Sequence, residues 1–116
     1  MDNEALEVYF RHMLDAMSRI ERYMAGVRKE DFFADDSMVA AAVVRELEII
    51  AEAVSQVPGE YQDQYASVPW REITDMRNRL IHGYFSVDYE IVWKTVQEDI
   101  PALKQQILTM LQDLQK

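Results

Sequence analysis

The residues best suited to chemistry crowd into one octapeptide, RNRLIHGY, from Arg77 to Tyr84. Arg77 carries a planar fork of donors matched to phosphate oxygens. His82 titrates near neutral pH and can take or give a proton. Tyr84 adds a modifiable phenol. Together these groups could hold a phosphate while a proton moves beside it.

Other constellations are missing. Gly26, Gly59 and Gly83 are too scattered for a phosphate-cradling loop, and there is no cysteine. His12 and His82 lie far apart, with no His-Glu-x-x-His zinc helix, and no Gly-x-Ser-x-Gly elbow appears. The acid pairs Asp35–Asp36 and Glu48–Glu52 could in principle hold a divalent metal, but solvated charge or helix capping explains them more simply. No metal and no cofactor is expected.

Four amphipathic helices must position the octapeptide. Leu6, Phe10, Met13, Met17, Ile20, Met24 and Val27 recur at spacings of three and four, a long helix that Gly26 and the run RKED bring to an end. Its methionines read as core fillers. Asp35, Asp36 and Ser37 cap a second helix, whose stripe runs Val39, Val43, Leu47, Ile50, Val54 and Val57. That helix is apolar on several sides and reads as central, with Arg45, Glu48 and Glu52 sharing its charged face. Residues 60–68 suggest a loop with a turn of helix around Tyr61 and Tyr65. Pro69 opens a third helix, and Gly83 is placed to close it in a left-handed cap. The last helix starts at Ser86 and Asp88, with Pro101 expected to kink or break it just after Glu98 or Asp99. Strand-like alternation is missing. The expectation is an all-α, up-and-down bundle of four to five helices forming a single domain over residues 1–116.

On the third helix, Arg77 falls on the seam Trp70, Ile73, Arg77, Leu80, Tyr84, where an apolar residue belongs. A buried guanidinium must meet an anion, a carboxylate or a cleft. An ion pair with Glu48 or Glu52 and a phosphate clamp both remain open. Asp75 and Arg79, one turn apart, suggest a surface pair. His82 is expected in the final turn, where it either bonds a last carbonyl or swings toward Arg77. Tyr84 by itself reads as aromatic packing, and His12 as a solvated residue.

The chain has 21 acidic against 12 basic side chains, a net charge of -9. That balance disfavours extended duplex binding but permits an enzyme that touches one or two phosphates. Arg71 to His82 is the local exception, with three arginines and a histidine against Glu72 and Asp75. No stretch approaches a membrane span, and the first residues carry no signal pattern, so the expected location is the cytoplasm.

RIERY at 19–23, VVRELEIIAEAV at 43–54, VPWREITDMRNRLIHGYF at 68–85 and VDYEIVWKTVQEDIPALKQQI at 87–107 complete a resemblance over essentially the whole chain. The chain resembles the HEPN domains, specifically the HepT-like ribonuclease toxins of two-gene toxin–antitoxin systems. Arginine, four residues, histidine, one residue and tyrosine form that family's signature, here Arg77, His82 and Tyr84. Ala51 stands where the second-helix motif leads one to expect glycine. The resemblance implies a HEPN fold and a homodimer with its motif helices meeting across a two-fold axis. It implies metal-independent RNA cleavage, with Arg77 on the phosphate, His82 as general acid or base, and Asn78 in support. It also implies a minimal nucleotidyltransferase antitoxin that moves AMP from ATP onto Tyr84. The alternative is a non-catalytic interaction module or a nucleotide-binding domain that partners such an enzyme.

Overall fold

The computed structural model describes residues 1–82 and 86–116, with His82 described by its backbone alone. Helix α1 spans Asn3–Met24, and the Asp2 carboxylate caps it by accepting from the Ala5 amide at 2.9 Å. Leu6, Phe10, Met13, Met17 and Ile20 are buried along one stripe, as the spacing predicts. Gly26, at φ 73°, turns the chain after α1 in a left-handed conformation that glycine adopts without steric cost. A short helix α2, Lys29–Phe32, then buries Phe32 against the ring of Trp93.

Helix α3, Met38–Ser55, is capped by the Ser37 hydroxyl, which accepts from the Ala40 amide at 3.1 Å. It is central: α1 and the later helical segments 70–74, 76–80 and 89–94 all pack on it. Helix α4, Gly59–Gln64, supplies the expected turn around Tyr61. The Tyr65 hydroxyl just beyond it donates to the Asp113 carboxylate at 2.6 Å and ties the connection to the far end of the last helix. No described helix is long and apolar enough to cross a membrane.

The third helix departs from expectation. It forms two five-residue pieces, α5, Trp70–Thr74, and α6, Met76–Leu80. Asp75, with ψ near 2°, interrupts the helical ladder between them. Met76 rather than Arg77 takes the core position between Ile73 and Leu80. A stripe with spacings of three, three and four satisfies the helical period as well as the one that included Arg77, and it buries no charge. Leu80, fully buried, is the last residue of α6. Ile81 is already extended, and Ile81–His82 pairs antiparallel with Ser86–Val87 as β1 and β2. A two-residue ladder is too short to show alternation in a sequence. It also moves His82 out of the helical turn expected for it. Gly83, the expected cap, lies outside the described residues.

The last helix widens ahead of Pro101 and stays helical past it, where a kink or break was expected. Helix α7, Tyr89–Lys94, is capped by Asp88 and runs into a π-helical turn, Thr95–Asp99, followed by α8, Ile100–Leu114. The wider turn lets the chain pass a proline that cannot donate to the ladder. Val92, Val96, Ile100, Leu103, Ile107 and Met110 stay on one buried stripe through the widened turn. The architecture is an all-α bundle with one minimal strand pair beside its arginine-bearing helix.

Candidate active site

Arg77 lies in the last turn of α6 with its side chain 59% exposed. Its Nε stands 3.6 Å from Glu48 Oε2 on α3, so the charges pair without a close hydrogen bond. The expectation of a buried guanidinium is therefore corrected. The ion pair with Glu48 is real but loose and solvated, a type worth about 0–1 kcal/mol. Glu52, the other acid considered, instead accepts from the Gln56 side chain at 3.3 Å.

The rest of the octapeptide divides. The Asn78 amide donates to Asp75 Oδ1 at 2.6 Å, one turn back, which leaves its carbonyl oxygen as an acceptor. Asp75 is thus engaged by Asn78 rather than by Arg79. The Arg79 guanidinium bonds the Glu72 carbonyl at 3.4 Å, and no Asp75–Arg79 pair occurs among the described residues. His82 sits two residues past the end of α6, its backbone in register with Ser86. Tyr84 lies outside the described residues. The Asp88 amide bonds the Leu80 carbonyl at 2.7 Å, so the start of α7 closes the end of α6.

Arg77 also lines a groove of about 610 Å³ that runs from α6 across α3 to α1. Tyr9, His12, Arg45, Glu48 and Glu52 are among its other walls. His12 is exposed, as expected of a solvated residue, yet it shares this groove with Arg77. Tyr9 and His12, three apart on α1, necessarily share a face, but nothing in the sequence alone set that face opposite Arg45.

One half-buried pair between α1 and α3 escaped the sequence reading. Glu46 on α3 is buried and accepts from Arg19 Nε on α1 at 2.8 Å. That bond to Glu46 holds the guanidinium's pKa above its ordinary value. The clue was available: Glu46 stands three after Val43 and four before Ile50, a core position occupied by an acid. The pair locks α1 to α3, the two helices that form most of the groove. Among the described residues, no group of three or more His, Asp or Glu side chains is placed to hold a metal.

An all-α bundle with an exposed arginine at a helix end and a histidine just past it fits the HEPN architecture. The sequence model described as ribonuclease HepT-like matches residues 13–110. A "Probable ribonuclease HepT" of Thermococcus cleftensis is 43% identical over 83% of this chain and 86% of its own. A "Putative RNase" of Caldanaerobacter subterraneus subsp. tengcongensis is 41% identical over 90% and 92%. A "Gamma-glutamylcyclotransferase and putative RNase" of Methanocaldococcus jannaschii is 38% identical over 96% of this chain, which spans about half the length of that protein. No solved structure gives a significant match. The chain belongs to the HepT-like ribonuclease family.

Proposed function

We propose that this protein is the toxin of a toxin–antitoxin pair, an endoribonuclease that cuts RNA without a metal at a cleft between two copies of the chain. Family membership supports the RNA substrate. The observation that carries the residue assignment is the state of Arg77: exposed, at a helix end, and held by one weak contact that a phosphate can displace. Two copies meeting near α6 would pool the cationic ends of both octapeptides. That local positive field offsets the protein's overall acidity at the point of RNA contact.

Arg77 would grip the scissile phosphate and stabilise the charge that grows on it. A base takes the proton of the ribose 2'-hydroxyl, whose oxygen attacks phosphorus. The bond to the 5'-oxygen breaks, and an acid returns a proton to that leaving oxygen. The products are a 2',3'-cyclic phosphate and a free 5'-hydroxyl. His82 fills the base or acid role, and the free carbonyl of Asn78 orients it. DNA lacks the attacking hydroxyl and stays intact.

The antitoxin in this reading is a minimal nucleotidyltransferase. The Tyr84 phenol attacks the α-phosphorus of ATP, pyrophosphate leaves, and the phenolic proton passes to a base. The product is a bulky phosphodiester anion that would occupy the Arg77 clamp in place of RNA. Expression in cells tests the pairing. Wild type should arrest growth and be rescued by the nucleotidyltransferase; Tyr84→Phe should arrest growth and resist rescue. Full rescue of Tyr84→Phe would remove Tyr84 as the point of control.

A further inference from the structure

The groove beside Arg77 contains cationic and aromatic groups that the cleavage chemistry leaves unused. Arg45 is exposed on α3, and no carboxylate pairs with it among the described residues. It lies three residues before Glu48, the acid that holds Arg77, so about one helical turn of roughly 5 Å separates the two positions along α3. Tyr9, across the groove on α1, is half-buried, with its ring packed against the core. Such a ring offers a flat face whose orientation is already fixed. Further along the same two helices, the Arg19–Glu46 bond ties α1 to α3.

We infer that this groove is a subsite for the single-stranded RNA flanking the cut. In it, Arg45 binds the phosphate next to the one at Arg77, and Tyr9 stacks on the intervening base. A free guanidinium suits a backbone phosphate, and an aromatic wall accepts any base because every base has a π-face. Glu48 and Glu52 fit the same picture. Their negative charge confines a phosphate to places where a guanidinium approaches it more closely than either carboxylate, which limits the register of the strand. A duplex, with its bases paired and stacked inward, presents nothing for Tyr9 to hold, so single-stranded RNA is the substrate selected. The inference rests on Arg77 being the phosphate clamp and extends that site by one nucleotide.

The test uses the full chain and a single-stranded RNA, with a fully 2'-methoxy copy of the strand for binding because it cannot be cut. Arg45→Gln should raise KM about tenfold, the effect of losing one charge-assisted phosphate contact, with little change in kcat. The slope of log binding constant against log salt should fall in magnitude by about 0.7, one phosphate on a single strand. Tyr9→Leu should weaken binding by a similar factor, about tenfold, without changing that slope, while Tyr9→Phe keeps the ring and the affinity. Unchanged KM and salt slope in Arg45→Gln would overturn the subsite. The parent reading fails separately, through Arg77→Ala: if that variant still cuts, the clamp is wrong whatever Arg45 does. If Arg77→Ala is dead and Arg45→Gln is indistinguishable from wild type, only the subsite is lost.

Discussion

In the proposed reaction Arg77 exchanges Glu48 for a phosphate, and its exposed position makes that exchange inexpensive. A guanidinium sealed in a core would be committed to its carboxylate, because separating the two leaves an uncompensated charge. This one stands in solvent 3.6 Å from Glu48, where the pair has little to lose. In the proposed mechanism Glu48 is a placeholder that keeps the side chain over the groove until a phosphate arrives. Neutralising it in Glu48→Gln should tighten binding of uncleavable RNA by up to about fivefold, the equivalent of the roughly 1 kcal/mol ceiling for an exposed pair. Fluorescence anisotropy reads this directly. A loss of affinity instead would mean that Glu48 aims Arg77 rather than competing for it.

Among the elements, the short α6 matters most. Five residues cannot hold a helix by themselves, so tertiary contacts must supply its stability. Met76 and Leu80 are its two buried anchors. Leu80→Ala should cost about 2–5 kcal/mol in urea unfolding. A second tie, Tyr65 to Asp113, makes stability depend on pH at both extremes. The Tyr65 hydroxyl holds the Asp113 carboxylate below its ordinary range. That contribution is full above the unfolded value near 4 and is lost as pH falls through the folded one. The same bond, with burial, raises the Tyr65 phenol. Its contribution is full below the unfolded value near 10 and is lost as pH climbs through the raised one. Tyr65→Phe should therefore flatten the stability profile in acid and in strong base, and an unaltered profile would contradict the tie.

How much of this was legible depends on what carries each feature. The α1 and α8 stripes were readable because many apolar residues repeat one period, and Pro101 marked its own interruption. The break at Asp75 was not readable, since no glycine or proline signals it and the stripe through Met76 and Leu80 fits an unbroken helix equally well. Arg77 was misplaced for the same reason: two phases of one short helix were both consistent, and burial of charge decides between them only when neighbours are known. The motif residues stand out by type and spacing, and of their side chains the structure describes those of Arg77 and Asn78. The groove formed by Tyr9, Arg45 and Arg77 was not, because it joins three helices distant in sequence.

At the scale of the molecule, an acidic protein must meet a polyanion through a small area. The proposed site makes few phosphate contacts, so the salt dependence of RNA binding should be shallow, with a slope below about 3 in magnitude for up to four contacts across the proposed dimer. A steep slope, near that of proteins that clasp many phosphates, would rule out so local a site. The molecule is elongated, 46 × 29 × 21 Å. Its long flank has room for more than the roughly 800 Å² per partner of a standard interface, so pairing through the α6 side can leave the α1–α3 groove open to RNA.

The most direct test is RNA cleavage by purified wild type and Arg77→Ala in the presence of a chelator, with the ends of the fragments identified. Wild type should cut and leave 2',3'-cyclic phosphates. Arg77→Ala should fold to the same helical content and lose at least about 10²-fold in rate, as expected when a group stabilising transition-state charge is removed. Undiminished cutting by Arg77→Ala, or cutting that stops when metal is chelated, would contradict the account.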